Sequence, residues 1–192
     1  MKVTKDVSEP HRDIVAEQNE WMQTAEEEFR RAIRENPNDG YAHNDLGNLL
    51  FDLKRFDEAE KELREAIRIN PNDDYAHYNL GNLLYSLKRF EEAEKEYIDA
   101  IRINPNDAGA HHNLGVVFKH LSRYEEAEKE YREAIRLDPN IAKAHRNLGI
   151  LLTYLKRDDE AKKEYREALG LNPNDAEARD NLAILGALNI FD

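Results

Sequence analysis

The chain has 192 residues and a formal net charge of −12, and 35% of its residues are charged. The absence of cysteine excludes disulfides, thiolate catalysis and cysteine-based zinc sites. The acidic balance argues against general binding to nucleic acid or to an acidic membrane surface. A helix needs about 18 consecutive apolar residues to cross a bilayer, and no apolar stretch is that long. The N-terminus has no apolar run suited to a signal peptide. We therefore expect a soluble, cytoplasmic protein without a membrane partner.

The first segment, residues 1–39, predicts a polar arm followed by a helix that serves as a degenerate N-terminal capping unit. Ser8 is suited to cap this helix, and nothing interrupts the helical pattern before Arg34. Trp21 and Phe29 lie at the register of the second half of the pattern that follows. Atypical end units of this kind are typical of repeat proteins, in which they cover exposed apolar surface.

A pattern of 34 residues then occurs four times. The first two repeats, residues 40–73 and 74–107, are identical at 25 of 34 positions, and the pattern continues over residues 108–141 and 142–175. Proline marks the period, at Pro37, Pro71, Pro105, Pro139 and Pro173. A fixed period of this length indicates a stack of identical supersecondary units.

Each repeat predicts two helices joined by a short turn. In the second repeat the apolar residues of the first helix follow helical spacing and share one face: Ala76, Leu80, Leu83, Leu84 and Leu87. A second helix is predicted over Glu91–Ile103, because the residue before Pro105 disfavours helix. Asn106 and Asp107 are suited to cap the next helix. The chain is thus predicted to be an all-α solenoid of antiparallel helix pairs.

A glycine recurs inside every first helix, where it costs about 1 kcal/mol relative to alanine. These residues are Gly47, Gly81, Gly115 and Gly149. A repeated cost indicates a repeated reason, and we expect close approach of the two helices. Small partner residues are expected at Ala59, Ala93, Ala127 and Ala161.

These positions together resemble the tetratricopeptide repeat (TPR) family over about residues 20–190. The second repeat shows the pattern as Leu80-Gly81, Ala93, Tyr97, Ala100 and Pro105. The resemblance implies a right-handed α-solenoid, the TPR superhelix, whose first helices line a concave groove that commonly holds a peptide. One departure is that the family's early tryptophan is replaced by His43, His77, His111 and His145.

The last segment, residues 176–192, predicts a C-terminal capping helix without a second helix. Its tail, Ile184–Phe191, is less polar than a cap should be. One interpretation is a terminal helix packed on the fourth repeat. The other is an adhesive end that pairs with a second molecule or with further sequence.

Catalytic motifs are missing from the sequence. The chain has three serines, none in a nucleophile-elbow context, and no glycine-rich loop that would cradle a phosphate. Each repeat supplies one histidine of the recurring column, so neighbouring histidines are too far apart for a common metal ion. We expect packed or hydrogen-bonded histidines, no cofactor, no metal and no enzymatic activity.

The variable face of the first helices is the predicted binding surface. Five of the nine differences between the first two repeats fall on this helix. Tyr75, Tyr78 and Tyr85 are unusual residues for a merely solvated face, although drift at exposed positions is the alternative. In the third and fourth repeats this face becomes cationic, through His112, Lys119, Lys143 and Arg146.

An asparagine column follows the same face at Asn79, Asn113, Asn147 and Asn181. It resembles the asparagine ladder with which some TPR arrays hold a peptide backbone, since an amide both donates and accepts. Hydrogen bonding between neighbouring helices is an equally good explanation. A carboxylate clamp of some TPR proteins is matched at three places, by Asn82, Asn113 and Lys143. Tyr78 and Asn147 stand where that clamp needs cations, so it is incomplete.

The leading hypothesis is a non-enzymatic adaptor that binds a protein segment in this groove. The expected partner carries an apolar anchor and an acidic or C-terminal carboxylate group. The candidate groove residues are Asn48, Tyr75, Tyr78, Asn79, Asn82, Tyr85, His112, Asn113, Lys119, Lys143, Arg146, Asn147 and Asn181. Two alternatives remain: a scaffold that self-associates through its terminal helices, or an engineered or excised array without a partner of its own.

Overall fold

A computed structural model describes residues 9–188, with side chains described for residues 20–186, and helices joined by short turns are the regular elements of this part of the chain. Its helices are α1 (Glu9–Glu35), α2 (Gly40–Asp52), α3 (Phe56–Ile69), α4 (Asp74–Ser86), α5 (Phe90–Ile103), α6 (Ala108–His120), α7 (Tyr124–Leu137), α8 (Ala142–Tyr154), α9 (Asp158–Leu171) and α10 (Ala176–Leu188). The predicted all-α solenoid of helix pairs is confirmed. None of the described helices is both long and apolar enough to cross a bilayer.

The chain forms two compact units, which we describe separately. The N-terminal unit extends to Asn79 and the C-terminal unit begins at Leu80. In the N-terminal unit α1 packs on α2, and α2 packs on α3. In the C-terminal unit α6 packs on α7 and α8 on α9, and each first helix also contacts the next, α6 with α8 and α8 with α10.

Local sequence explains where the first helices begin. Asp39, Asp107 and Asp175 each accept a hydrogen bond from a backbone N–H of the following first turn, with N···O distances of 3.1 Å. These bonds satisfy amides that have no partner inside the helix. The fourth repeat has Ile141 at this position and no side-chain cap. The predicted capping role of Asp107 is confirmed.

The turn between the two helices of a repeat uses a left-handed backbone conformation at a residue other than glycine. The four positions with φ of 60–61° are Lys54, Lys88, Ser122 and Lys156. The chain closes this turn with backbone bonds such as Arg157 N to Leu152 O, 2.9 Å. Such a conformation is unfavourable for a residue with a Cβ, so these bonds hold the turn against a local strain.

The recurring glycines make room for a large side chain of the second helix. A Cβ atom on Gly81 would lie 2.7 Å from Cε1 of Tyr97, and one on Gly149 would lie 2.7 Å from Cε1 of Tyr165. The expectation that alanines are the close partners was therefore mostly wrong. Only at Gly115 is an alanine atom, the carbonyl oxygen of Ala127 at 3.2 Å, among the nearest contacts. The predicted close approach of the two helices is confirmed: the space is filled by a tyrosine ring at Gly81, Gly115 and Gly149 and by Leu63 at Gly47.

The histidine column joins the two helices of a repeat. In the third repeat His111 Nδ1 lies 2.6 Å from Glu130 Oε2, and its Nε2 lies 3.2 Å from the carbonyl oxygen of Pro105. Burial opposes the charged imidazole, but the bond to Glu130 prevails and raises the pKa of His111. His43 and His145 make the same pair of contacts. The expectation of hydrogen-bonded histidines is confirmed for these three residues.

The two end helices differ from the others. α1 is one continuous helix of 27 residues, as the uninterrupted pattern predicts. α10 packs on α9 and α8. It buries Leu185 while Ile184 is 58% exposed. Ile190 and Phe191, which belong to the predicted apolar tail, lie outside the described residues.

Candidate functional site

Four predicted groove residues lie in the N-terminal unit. Asn48 is exposed, and Tyr75 is 66% exposed. Tyr78 and Asn79 are half-buried. Asn79 Nδ2 donates to Oδ1 of the buried Asn44, 3.0 Å away on α2. Asn79 thus joins two first helices.

This part of the first-helix face is acidic. Burial, together with the nearby charges of Asp39 and Asp73, raises the pKa of the Asp45 carboxyl, while a hydrogen bond from Asn44 opposes the shift. Tyr41 and Tyr75, at equivalent positions of two successive repeats, are both mostly exposed. The N-terminal unit therefore offers exposed aromatic rings in a negative surrounding.

The C-terminal unit carries a connected row of three amides and one imidazole on its first helices, which we call the amide ladder: Asn82, His112, Asn113 and Asn147. Asn82 Oδ1 accepts from the Tyr97 hydroxyl at 2.7 Å and from Asn113 Nδ2 at 2.9 Å. His112 Nδ1 lies 3.0 Å from Asn113 Oδ1, and His112 Nε2 lies 3.0 Å from Asn147 Nδ2. The ladder crosses from α4 through α6 to α8.

The ladder requires a neutral His112 with a defined tautomer. An asparagine Nδ2 can only donate, so His112 Nε2 accepts from Asn147 and Nδ1–H donates to Asn113. The pKa of His112 is lowered by burial and by the positive charges of Lys143, Arg146 and Lys119, against the opposing bond to Asn113. The interhelical explanation of the asparagine column thus holds at Asn113 and Asn147. Asn181 is half-buried and makes no side-chain hydrogen bond within residues 20–186.

Three cations are close enough to His112 to act on its charge: Lys119, Lys143 and Arg146. Lys143 is exposed and Lys119 is half-buried. Neither lysine has an ion-pair partner within the described residues. A positive surface therefore surrounds the centre of the ladder in a chain whose net charge is −12.

Arg146 differs from the two lysines because it is already paired. Its Nη1 lies 3.1 Å from Asp175 Oδ2, and its Nε lies 3.3 Å from Glu177 Oε2, off the direction of a hydrogen bond. The expectation that Arg146 is free to meet an acidic partner is corrected: its charge is engaged with the start of α10. Glu177 remains exposed.

Tyr85 belongs to an aromatic cluster with Phe90 and His120. The rings of Phe90 and His120 are stacked with centroids 4.7 Å apart, and Tyr85 contacts both. The Tyr85 hydroxyl lies 3.1 Å from His120 Nε2. Burial raises the pKa of Tyr85, whereas burial and the charge of Lys119 lower the pKa of His120. Phe90 and His120 are not among the candidate groove residues predicted from the sequence.

One hydroxyl beneath this face has no hydrogen-bond partner. Tyr131 Oη is fully buried and unpaired, although the equivalent Tyr97 donates to Asn82. Val116 occupies the position in the third repeat that Asn82 occupies in the second, where Asn82 supplies the acceptor. The missing acceptor could have been noticed in the sequence, because a buried tyrosine hydroxyl needs a hydrogen-bond partner and a valine side chain cannot supply one.

Val116→Asn is expected to stabilise the protein by about 0.5–1 kcal/mol, because it supplies an acceptor for the buried Tyr131 hydroxyl. The half-buried position of Val116 limits what is lost with the apolar side chain. Urea unfolding measures the change.

A double-mutant cycle is the control. In a Tyr131→Phe background the Val116→Asn gain should disappear, since no hydroxyl remains to be satisfied. An equal gain with and without the hydroxyl contradicts the assignment.

The second-helix side also has pockets, one in each unit. In the C-terminal unit the pocket contains His145 and its partner Glu164 and is bordered by Arg132, Arg136 and Lys163. An equivalent pocket in the N-terminal unit contains His43 and Glu62. Both hold internally paired His–Glu groups, so their charges are already used to join helices.

Family models establish the class of protein that this architecture defines. Models described as "TPR repeat" match residues 47–88 and 81–122, and models described as "Tetratricopeptide repeat" match residues 28–61 and 107–174. The chain belongs to the tetratricopeptide repeat family. A comparison with curated protein sequences returned no match.

Solved structures resemble the fold at low sequence identity. A crystal structure of MamA is 20% identical with a TM-score of 0.74 and covers 91% of this chain and 99% of its own. The Pseudomonas aeruginosa pilF protein is 21% identical with a TM-score of 0.78, over 91% of this chain and 86% of that one. YrrB, described as a TPR protein with an unusual peptide-binding site, is 21% identical with a TM-score of 0.71, over 88% and 86%. At these identities the likeness shows the shared fold.

Proposed function

We propose that this protein is a non-enzymatic interaction scaffold whose C-terminal unit binds an acidic protein segment on its first-helix face. The observation that carries the proposal is the group of cations around the amide ladder. Lys119 and Lys143 lie near the half-buried, neutral His112 and have no ion-pair partner within the described residues. An unpaired positive patch on an acidic protein favours a negatively charged partner.

The ladder supports an extended peptide as the form of that partner. Asn82 uses only its Oδ1 and Asn147 only its Nδ2 in the ladder. The remaining Nδ2 of Asn82 and Oδ1 of Asn147 have no partner in the described part of the chain. They offer one donor and one acceptor, the pair that a peptide unit needs. Each such bond contributes about 0.5–1.5 kcal/mol net.

The aromatic cluster of Tyr85, Phe90 and His120 supports an apolar anchor. Tyr85 and Phe90 are half-buried and His120 is exposed, so the cluster still presents ring surface to a ligand. Aromatic side chains of this kind contribute strongly at protein interfaces. A partner with a carboxylate near the lysines and an aliphatic or aromatic side chain at the cluster uses both features. YrrB is itself described as having a peptide-binding site, which is consistent with a peptide partner for this chain.

Selection from a random peptide library with free C-terminal carboxylates identifies a ligand. The enriched peptides are expected to carry acidic residues or to depend on the terminal carboxylate. Lys119→Glu/Lys143→Glu is then expected to weaken binding of the selected peptide at least about tenfold, because two attractive charges become repulsive. Fluorescence polarisation measures the affinity, and circular dichroism checks the fold.

Lys95→Glu/Lys129→Glu is the matched control. It changes the net charge equally, at exposed lysines of second helices, and should alter affinity by less than about twofold. If both double variants bind equally well, the first-helix face is not the site. Arg146 is a poorer probe, because its removal also disturbs Asp175.

A further inference from the structure

The two ends of the array carry complementary halves of a repeat. α10 has the register of a first helix: Ala178 and Leu185 lie at the positions of Ala144 and Leu151. Among the described residues no second helix follows it. The C-terminal part of α1 has the register of a second helix, with Phe29 at the position of Tyr165, and no first helix precedes it within residues 9–188. Within the described residues, α10 is therefore a first helix without a second, and this part of α1 is a second helix without a first.

The surfaces that these halves leave open are apolar. In a complete repeat, Gly149 is covered by the ring of Tyr165. The equivalent residue of α10 is Ala183, which is exposed, and its neighbour Ile184 is 58% exposed. On α1, Trp21 is 65% exposed. Large exposed apolar side chains at both ends indicate contact surfaces.

A charge pair that joins the helices of complete repeats is split between the two ends. His43 pairs with Glu62 across one repeat, and His145 pairs with Glu164 across another. At the histidine position α10 carries Arg179, and at the glutamate position α1 carries Glu28. Both are exposed, and neither has an ion-pair partner in the described residues.

A second column, of glutamate–arginine pairs between repeats, is also interrupted at both ends, and the replacement residues can still attract each other. Between repeats a second-helix glutamate binds an arginine of the next turn, as in Glu94–Arg123 at 2.7 Å and Glu128–Arg157 at 2.6 Å. Lys162 takes the glutamate position on α9, where it is buried and its Nζ lies 3.9 Å from Asp159 Oδ1. Trp21 takes the arginine position on α1. A lysine and an exposed tryptophan form a favourable cation–π pair.

From these four observations we propose that two molecules of this chain associate end to end. α10 of one molecule and α1 of a second complete a composite repeat, in which Arg179 pairs with Glu28. The two ends of a molecule differ, so the contact is heterologous, and its repetition builds a ring or an open filament. The occupant of each exposed end is therefore a second copy of this chain.

Charge reversal with rescue tests the proposal. Sedimentation velocity of the full chain over micromolar to millimolar concentrations is expected to show a mass that keeps rising beyond the dimer. Arg179→Glu and Glu28→Arg should each raise the concentration needed for association at least about tenfold. The double variant Arg179→Glu/Glu28→Arg should restore association, because it re-creates the pair with reversed sign.

Lys129→Glu is the control, since it changes the net charge as Arg179→Glu does but lies at an exposed position of α7. It should associate like the parent. A parent that stays monomeric at millimolar concentration overturns the proposal. So does a mass that stops at the dimer, which indicates a symmetric contact, or a double variant that fails to recover.

Discussion

Gly149→Ala is expected to destabilise the protein by about 1–2 kcal/mol, although alanine is the better helix former by about 1 kcal/mol. The added Cβ would lie 2.7 Å from Cε1 and 2.9 Å from Cδ1 of Tyr165. That ring is fully buried, and its hydroxyl lies 3.2 Å from Thr153 Oγ1. The ring therefore cannot withdraw without breaking contacts, so the overlap outweighs the gain in helix propensity.

Gly170→Ala is the matched comparison on the neighbouring helix α9. A Cβ at Gly170 would meet nothing within 4 Å. Only the helix propensity then changes, and we expect stabilisation by about 0.5–1 kcal/mol. Urea unfolding of both variants gives the two values. A change of the same sign at both positions would show that the glycine is not retained for the tyrosine.

Arg146→Ala is expected to cost about 2–3 kcal/mol of unfolding free energy. The side chain of Asp175 is 4% exposed, and that of Arg146 is 24% exposed. Removing the guanidinium leaves a carboxylate that is buried without its counter-charge, which is more costly than losing a surface pair. Partial exposure of Arg146 places the value below that of a fully buried pair.

Two further variants separate this cause from a general loss of packing. Arg146→Ala/Asp175→Asn should recover part of the loss, because asparagine removes the charge and still caps α10. Arg136→Ala removes an arginine that is 65% exposed and paired with Glu133, and it should cost much less than Arg146→Ala, because solvent screens an exposed pair. Thermal or urea unfolding decides, and equal losses for Arg146→Ala and Arg136→Ala contradict the buried-charge explanation.

Helix positions could be predicted from sequence because their signals are local. Pro105 ends α5, which was predicted over Glu91–Ile103 and is observed over Phe90–Ile103. Asp107 begins α6 through a hydrogen bond to the backbone three residues later. The repeat itself, visible in the proline spacing, then established that the helices stack as pairs.

Side-chain partners could not be predicted because they depend on how repeats stack. Asn113 bonds to Asn82, 31 residues away, and Asn147 bonds to His112, 35 residues away. The residue types alone allowed both a peptide ladder and an interhelical ladder. Arg146 is likewise a residue type suited to binding an acidic ligand. Only the position of Asp175 in the structure showed that its charge is already paired.

For the two lysines at the centre of the proposed site, the structure adds support that the sequence lacked. Sequence identified Lys119 and Lys143 only as parts of a cationic segment. In the structure both act on the charge of His112. A neutral His112 keeps the ladder intact and leaves the positive charge on flexible side chains at its edge. The ladder side chains are thus bonded to one another, whereas the two lysines have no ion-pair partner in the described part of the chain.

A crystal structure of the full chain with the selected acidic peptide shows whether the first-helix face of the C-terminal unit is the binding site. We expect an extended peptide across α6 and α8. Its carboxylate should lie within hydrogen-bond distance of Lys119 or Lys143, and its backbone should contact Asn82 or Asn147. A peptide bound in the second-helix pocket beside His145 and Glu164, with both lysines free, would contradict it.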